Sequence, residues 1–463
     1  TSVLKKLGYE LSFFIPHRFE DGYGLNQKIA ERCVQKKISL LITLDCGITN
    51  TKEIAYLREN GVDVLLLDHH TIPTPCPDAN VILNPKFYEP EHPLYDLCTV
   101  GIVFKFLVAF CETYHPEYPI QLDLDLVAIG TVADVVNLRG ENRGLVQEGL
   151  VLLNQRRRLG IRLLIEEAKL GQMDITGYHI GFVIGPILNA AGRLSTGQLG
   201  VDLLTSEHET SGRHLAKKLF SLNQKRKGLG QDILKEALEV VEASEDAPII
   251  VMASANWHPG IIGITASQIA RTFSKPTVLI GMGDDFGRGS ARSIGEIDIY
   301  SLLNQCSSHF MKFGGHKAAA GFSIDLSKID AFRDQLITLS KEQLSEKDLQ
   351  DVLYIDAKLS PSEFELSFIT DALKLSPFGQ GNREPVFYSN DLKVVDSRLV
   401  GDGKHLKVSF ISKDGKHPIT AIGFGLSEKL ELLYKQNIEC VFNVDINYWN
   451  GQSIPQLKLI DIK

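Results

Sequence analysis

Val64-Leu65-Leu66-Leu67-Asp68-His69-His70 is the stretch that decides the fold. Four apolar residues in a row read as a buried strand, and it delivers one carboxylate and two imidazoles to a single point. Leu40-Leu41-Ile42-Thr43-Leu44 runs into Asp45-Cys46-Gly47 in the same way. Two strands that each end in an aspartate, with a helix between them, make a βαβ unit. Such units gather functional groups at the carboxyl ends of their strands. A lone strand-terminal aspartate is as readily a helix N-cap, and a lone histidine a satisfied loop residue. Two histidines directly behind an aspartate fit metal-dependent phosphoryl transfer better.

A third acid lies in Ala128-Ile129-Gly130-Thr131-Val132-Ala133-Asp134-Val135-Val136, an apolar helix with Asp134 near its end. A carboxylate in such surroundings is costly unless paired or metal-bound. Asp45, His69 and Asp134 are therefore expected to converge as mixed oxygen and nitrogen ligands. That set suits Mn²⁺ or Mg²⁺. Two such ions roughly 4 Å apart would clamp a phosphate and generate a hydroxide nucleophile.

Composition narrows the partners. With 463 residues, 44% hydrophobic and 23% charged, the chain reads as a multidomain globular protein. No apolar run approaches a membrane span. Seven scattered cysteines without a CxxC pair suggest reduced thiols in a cytoplasm and argue against structural zinc. The net charge of −8 alone weighs against nucleic acid. Local basic clusters counter it: Arg156-Arg157-Arg158, and Arg213, Lys217, Lys218, Lys225, Arg226, Lys227 and Lys235 against one acid, Asp232. Solvated helix faces explain either cluster equally well.

Strand and helix patterns alternate to about residue 137. Ser12-Phe13-Phe14-Ile15, 39–45 and 62–68 read as strands, and 25–37, 50–60 and 97–114 as helices. Residues 122–204 read as mostly helical. The polar pattern of 207–243 predicts one long helix bridging domains, interrupted only by Gly228 and Gly230. A second α/β pattern begins after Pro248, with strands at 249–251 and 276–280 and a helix at 261–273. A glycine-rich turn is expected at 281–289 and a linker at 342–350. From 351 onward five or six short strands predict a small barrel, OB-like or SH3-like, with turns at Gly401-Asp402-Gly403 and Asp414-Gly415.

Several segments have the chemistry to hold phosphate. Gly185 to Leu194 carries Arg193, whose guanidinium can form a bidentate pair, although small residues there also suit tight helix packing. Trp257-His258-Pro259-Gly260 precedes a helix whose N-terminus can take an anion. Gly287 to Ser293 offers Ser290 and Arg292 beside flexible backbone, and Gly314-Gly315-His316 reads as a turn with an imidazole. In the barrel, Lys404, His405, Lys407, Tyr448 and Trp449 suit a single strand.

These motifs, in this order and over essentially the whole chain, resemble the RecJ family of single-strand-specific 5′→3′ DNA exonucleases, within the DHH phosphoesterase superfamily. The carrying residues are Leu44-Asp45-Cys46-Gly47, Asp68-His69-His70, Gly130 to Val135, Asn189-Ala190-Ala191-Gly192-Arg193, Trp257-His258-Pro259-Gly260 and Gly314-Gly315-His316. The resemblance implies an α/β fold: a DHH phosphoesterase domain with a parallel sheet over 1–205, and a long connecting helix over 206–245. A smaller DHH-associated α/β domain over 246–343 and an OB-like barrel over 351–463 follow. It implies an active-site cleft between the first and third parts. Asp45, His69 and Asp134 would be metal ligands, Asp68 a support, and His70 would face the scissile phosphate. Arg193, Ser290 and Arg292 would hold the 5′-terminal phosphate or adjacent backbone, Gly314, Gly315 and His316 would contact phosphate, and Arg18 is a further phosphate contact.

The expected activity is release of mononucleotides from single-stranded DNA in recombination and repair, with Mn²⁺ or Mg²⁺ in a two-metal site. A helicase or a single-strand-binding protein are candidate partners of a cytoplasmic monomer. The rivals are a short-oligonucleotide or cyclic-dinucleotide phosphodiesterase, and a non-catalytic DNA-binding scaffold. One departure stands out. The family opens with an Asp-x-Asp-Gly-x-Thr-Ser-like motif, of which Thr1-Ser2 match only the tail. The expectation is an N-terminally trimmed chain that, as written, binds metal poorly and cuts weakly.

Overall fold

The computed structural model describes residues 1–17, 21–22, 24–242, 247–345, 347–350, 352–412, 418–434, 438–449 and 452–463. The chain divides into two compact units. One holds Gln27–Gln155, Asp174–Gly181 and Leu353–Lys463, and the other Thr1–Asn26, Arg156–Met173 and Phe182–Val352.

In the first of these, β1 (Leu40–Leu44), β2 (Asp63–Leu67) and β3 (Val81–Leu83) form a parallel sheet in that order. Leu44 pairs with Leu67 and Leu67 with Leu83, so all three strands leave the sheet at one edge. β2 is central, and its Val64, Leu66 and Leu67 are buried, as a strand covered on both faces requires. The crossover helix α1 (Thr51–Glu59) buries Ile54 and Leu57, three apart on one face. Three further helices follow: α2 (Thr99–Tyr114), α3 (Leu124–Ala133) and α4 (Gly140–Asn154). Two glycines set their spacing. A Cβ on Gly130 would stand 2.7 Å from Val100 of α2, and one on Gly149 would stand 2.3 Å from the Leu124 carbonyl of α3.

The other unit is built on α5 (Glu209–Glu242), an unbroken helix of 34 residues. Ala216, Leu219, Asn223, Ile233 and Ala237 form its buried stripe. A five-stranded sheet follows in the order β4 (Ile250–Ser254), β5 (Thr277–Met282), β6 (Gly287–Arg292), β8 (Ala319–Ile324), β7 (Phe310–His316). β4 and β5 are parallel across α6 (Pro259–Phe273), and the rest are antiparallel.

Three sequence expectations are corrected here. The glycine-rich segment ending in Gly287-Arg288-Gly289 is no turn throughout, because from Gly287 it is strand β6. Its glycine is needed by the packing: a Cβ on Gly289 would fall 2.1 Å from the Phe322 ring. Gly314-Gly315-His316 is the end of strand β7, paired in register with β8. Ser12–Ile15 forms no strand, and Phe13 and Phe14 are exposed where a buried strand would hide them.

The chain then completes the first unit with β9 (Phe387–Val400), β10 (His405–Ser412), β11 (Pro418–Gly423), β12 (Ile438–Trp449) and β13 (Gln452–Ile462). β9 pairs with β10 and β12, β10 with β11, β11 in parallel with β13, and β13 with β12. The ladder thus closes on itself, the five-stranded barrel of an OB-fold. Leu406, Val408, Phe410, Phe442, Val444, Leu457 and Leu459 fill its interior. The turn expected at Asp414-Gly415 lies outside the described residues. Among the described residues no helix is long and apolar enough to cross a membrane.

Because Phe322 occupies the space a side chain at 289 would need, Gly289→Ala is expected to destabilise the β4–β8 unit by about 1–3 kcal/mol. Urea unfolding followed by tryptophan fluorescence measures it, since Trp257 is buried in that unit.

Candidate functional site

The parallel register brings Asp45 and Asp68 out of the sheet side by side, and the Asp45 amide donates to the Leu67 carbonyl at 3.0 Å. Asp45 turns sharply, with φ 63°, a left-handed conformation that aspartate tolerates better than most residues. Thr99, at the start of α2, donates to Asp45 Oδ1 at 2.8 Å and fixes its carboxylate. His69 Nε2 lies 3.4 Å from Asp45 Oδ1 and 3.5 Å from Asp134 Oδ2. Asp134 caps α3, and its amide donates to Gly130. One nitrogen therefore sits between two carboxylate oxygens that come from different elements.

Asp68 is 1% exposed and serves a different purpose. Its carboxylate accepts from the Ile48 amide at 3.1 Å, the His70 amide at 3.1 Å and His70 Nδ1 at 2.6 Å. Burial pushes this carboxyl up, but the hydrogen bonds from the His70 ring and the two amides outweigh it and hold the group below the usual carboxylate range. The same bond raises the His70 pKa, against burial, with help from the charges of Asp68, Asp45 and Asp134. With Nδ1 engaged, Nε2 is the atom His70 can offer outward. Asn84 donates to the His70 carbonyl at 3.0 Å. Burial pushes the Asp134 carboxyl up and Asp45 adds to this, whereas His69 and His70 oppose it.

Asp45, His69 and His70 each present one ligand atom within 4.8 Å of the others. Asp134 joins them through His69. Neighbouring ligands on a divalent ion with bonds of ~2.1 Å lie roughly 3 Å apart, close to the spacings found here. Two carboxylates that repel each other, with an imidazole nitrogen between them, fit Mn²⁺ or Mg²⁺. His70 thus lies beside the expected ligand set. Thr99 and Asn84, which hold it, carry no signal in the sequence.

The other unit assembles a second group. Arg193 Nη1 donates to the Gly260 carbonyl at 3.2 Å, and Gly263 on α6 sits against Ser290 Oγ and Arg292 Nη2. Arg292 also donates to Ser290 Oγ at 3.0 Å. Arg193, Ser290 and Arg292 thus gather around the first turns of α6. Register extends the surface: Ala319 pairs with both Arg292 and His316, and Gly321 with both Ser290 and Gly314. Residues in one row share a face, so Ser290, Arg292 and His316 line one side of the sheet with Gly314 and Gly321 leaving its floor bare. The helix N-terminus expected to bind an anion is instead capped by its own neighbour, since His258 Nδ1 accepts from the Gly260 amide at 3.0 Å. Arg18 lies outside the described residues.

On the barrel, Lys404 is exposed in the turn after Gly401. Lys407 stands between buried Leu406 and Val408 and so points outward. Its row runs Arg398, Lys407, Ile422, Lys458 across four strands. Arg398 and Lys458 escape a linear reading because only the barrel register aligns them with Lys407.

Models of known families match three stretches of the chain: the DHH family N-terminal domain matches 1–131, the DHHA1 domain 246–342 and the RecJ OB domain 355–461. A DHH module, a DHHA1 module and an OB barrel in one chain define the class. The chain belongs to the RecJ family. It is 34% identical to the single-stranded-DNA-specific exonuclease RecJ of Haemophilus influenzae, with 99% of this chain and 83% of that protein aligned. Identity to the Bacillus subtilis RecJ is also 34%, over 58% of that longer protein. The crystal structure of Thermus thermophilus RecJ with Mn²⁺ superposes with a TM-score of 0.84 at 30% identity, over 99% of this chain and 65% of that one.

The Asp68–His70 pair has a defined pH signature. The lowered Asp68 pKa stabilises the fold above its unfolded value near 3.8 and is lost as pH falls through the folded value. The raised His70 pKa stabilises below its unfolded value near 6.5 and is lost as pH rises through the folded one. The stability difference between wild type and Asp68→Asn, measured by denaturant titration, is therefore expected to peak between about pH 4 and pH 6.5 and to shrink on both sides.

Proposed function

We propose that this chain is a metal-dependent 5′→3′ exonuclease that hydrolyses single-stranded DNA to mononucleotides in recombination and repair. The observation that carries the reading is the wedge of His69 Nε2 between the Asp45 and Asp134 carboxylates, at the strand-end edge of a parallel sheet in a RecJ-family chain. Asp45, His69 and Asp134 would hold Mn²⁺ or Mg²⁺, with His70 beside them. Bound there, the metal activates water and offsets phosphate charge.

The protein's own groups supply the rest. His70, kept protonated over a wider pH range by Asp68, donates from Nε2 to a phosphate oxygen. Arg193, Ser290 and Arg292 hold the 5′-terminal phosphate, and His316 with Gly314 and Gly315 contacts the neighbouring backbone, where the bare glycine floor permits close approach. Arg18 contributes a further phosphate contact. Lys404 and Lys407, extended by the row through Arg398, grip the strand farther along. In this reading 1–205 carries catalysis, 206–245 is the connecting helix, 246–343 binds substrate and 351–463 binds DNA. The closed barrel with its basic row favours a long strand over a short oligonucleotide. A helicase or single-strand-binding protein would supply such strands in the cytoplasm, to a monomeric enzyme.

The test is Mn²⁺-dependent digestion of a 5′-phosphorylated single strand by a polypeptide carrying the family's Asp-x-Asp-Gly motif ahead of Thr1. Mononucleotides should accumulate from the 5′ end, and His69→Ala or Asp134→Asn should lower kcat at least about 100-fold. Tight binding without products would favour a scaffold instead. In the same polypeptide, Lys404→Ala with Lys407→Ala should weaken single-strand binding and flatten its salt dependence by about one unit of slope per lost phosphate contact, measured by fluorescence anisotropy.

A further inference from the structure

The segment ahead of the barrel does more than lead into it. Residues 374–381 lie against the loop that follows Asp134, within one compact unit. The Leu138 amide donates to the Gln380 carbonyl at 2.7 Å, and Arg139 Nε to the Gly381 carbonyl at 2.7 Å. Arg143 Nη2 reaches the carbonyls of Leu375 at 3.0 Å, Ser376 at 3.2 Å and Lys374 at 3.4 Å. The segment is itself tied: Asn382 Nδ2 donates to the Leu375 and Pro377 carbonyls at 3.0 and 2.9 Å. Two glycines allow the approach. A Cβ on Gly379 would stand 2.7 Å from Leu138 Cδ1, and one on Gly381 would stand 2.7 Å from Asn137 Oδ1.

The loop so held needs holding. Val135, directly after Asp134, is exposed at φ 60°, a conformation β-branched residues avoid and keep only where their surroundings impose it. Two residues on, Asn137 Nδ2 donates to Asp96 Oδ2 at 2.8 Å, and Asn142 Nδ2 donates to the carbonyls of Asp96 at 2.6 Å and Asn137 at 3.0 Å. The path therefore runs from the carbonyls of Gln380 and Gly381 through Leu138 and Arg139 to the turn that aims Asp134, while Arg143, in the first turn of α4, anchors the same segment at 374–376.

We infer that residues 374–381 form a bracket that fixes Asp134 at the metal centre, with Arg143 as its positioning residue. The barrel lobe is then part of the catalytic apparatus as well as a grip on DNA. The inference rests on the metal-dependent reading above and adds to it the dependence of metal affinity on a segment that holds no ligand.

Mn²⁺ binding, followed by electron paramagnetic resonance, tests it in the same polypeptide, extended ahead of Thr1 with the family's Asp-x-Asp-Gly motif. Arg143→Ala should weaken Mn²⁺ binding about tenfold. It should also lower kcat while leaving KM for the single strand unchanged, and speed hydrogen exchange at the Leu138 amide. Arg143→Lys, which keeps one donor, should recover part of the affinity. Gly381→Ala, which drives a Cβ into Asn137, should act in the same direction and decides the matter if Arg143→Ala fails to fold. Wild-type Mn²⁺ affinity in both Arg143→Ala and Gly381→Ala overturns the bracket and leaves the nuclease reading standing. A wild-type protein that binds no Mn²⁺ overturns both.

Discussion

The buried Asp68 carboxylate is the constraint on which the site rests. It accepts from the loop after β1 through the Ile48 amide, and from both backbone and ring of His70. A carboxylate with almost no solvent contact is tolerated only with such a set of donors. Satisfying it joins the ends of two parallel strands and orients the second histidine. The charge is spent on geometry, which leaves Asp45, His69 and Asp134 to face one another.

The helices extend the same logic. Thr99 fixes Asp45 from the first residue of α2, and Gly130 lets α3 approach α2 closely enough for Asp134 to reach His69. A larger residue at 130 would push against Val100, and the shift would travel one helical turn to the acid. Packing density and site geometry are in this way one property. The other unit shows a parallel case: small residues at 263, 314 and 321 leave the backbone bare beside Arg292, Ser290 and His316.

Much of this is legible in the chain because its chemistry sits at strand and helix ends. Apolar runs that stop at Asp45 and Asp68, and an acid closing an apolar helix at Asp134, announce their places before any tertiary fact is known. The OB-like tail is legible for a related reason, since its strands are short, alternating and evenly spaced. What escapes is whatever tertiary packing decides. Thr99 is 54 residues from Asp45 and looks like any helix-starting threonine. Gly287-Arg288-Gly289 reads as a turn because glycine usually marks one, yet there it makes room for Phe322 inside a sheet. The N-terminus of α6 reads as a place for an anion, yet the His258 ring accepts from its Gly260 amide. The row of Arg398, Lys407 and Lys458 exists only through barrel register.

The contact between Arg139 and Gly381 spans 242 positions of sequence. A ribosome adding about 5–20 residues per second needs roughly 10–50 s to cover that distance. For that interval the loop after Asp134 has emerged and the segment that steadies it has not. The barrel adds a further delay, because β11 and β12 each pair with β13 and the ring cannot close before residues 452–462 are made. Order of synthesis thus ripens this cluster late: a nascent chain carries Asp45 and Asp134 early and completes the contacts around them only once residues 374–381 have emerged.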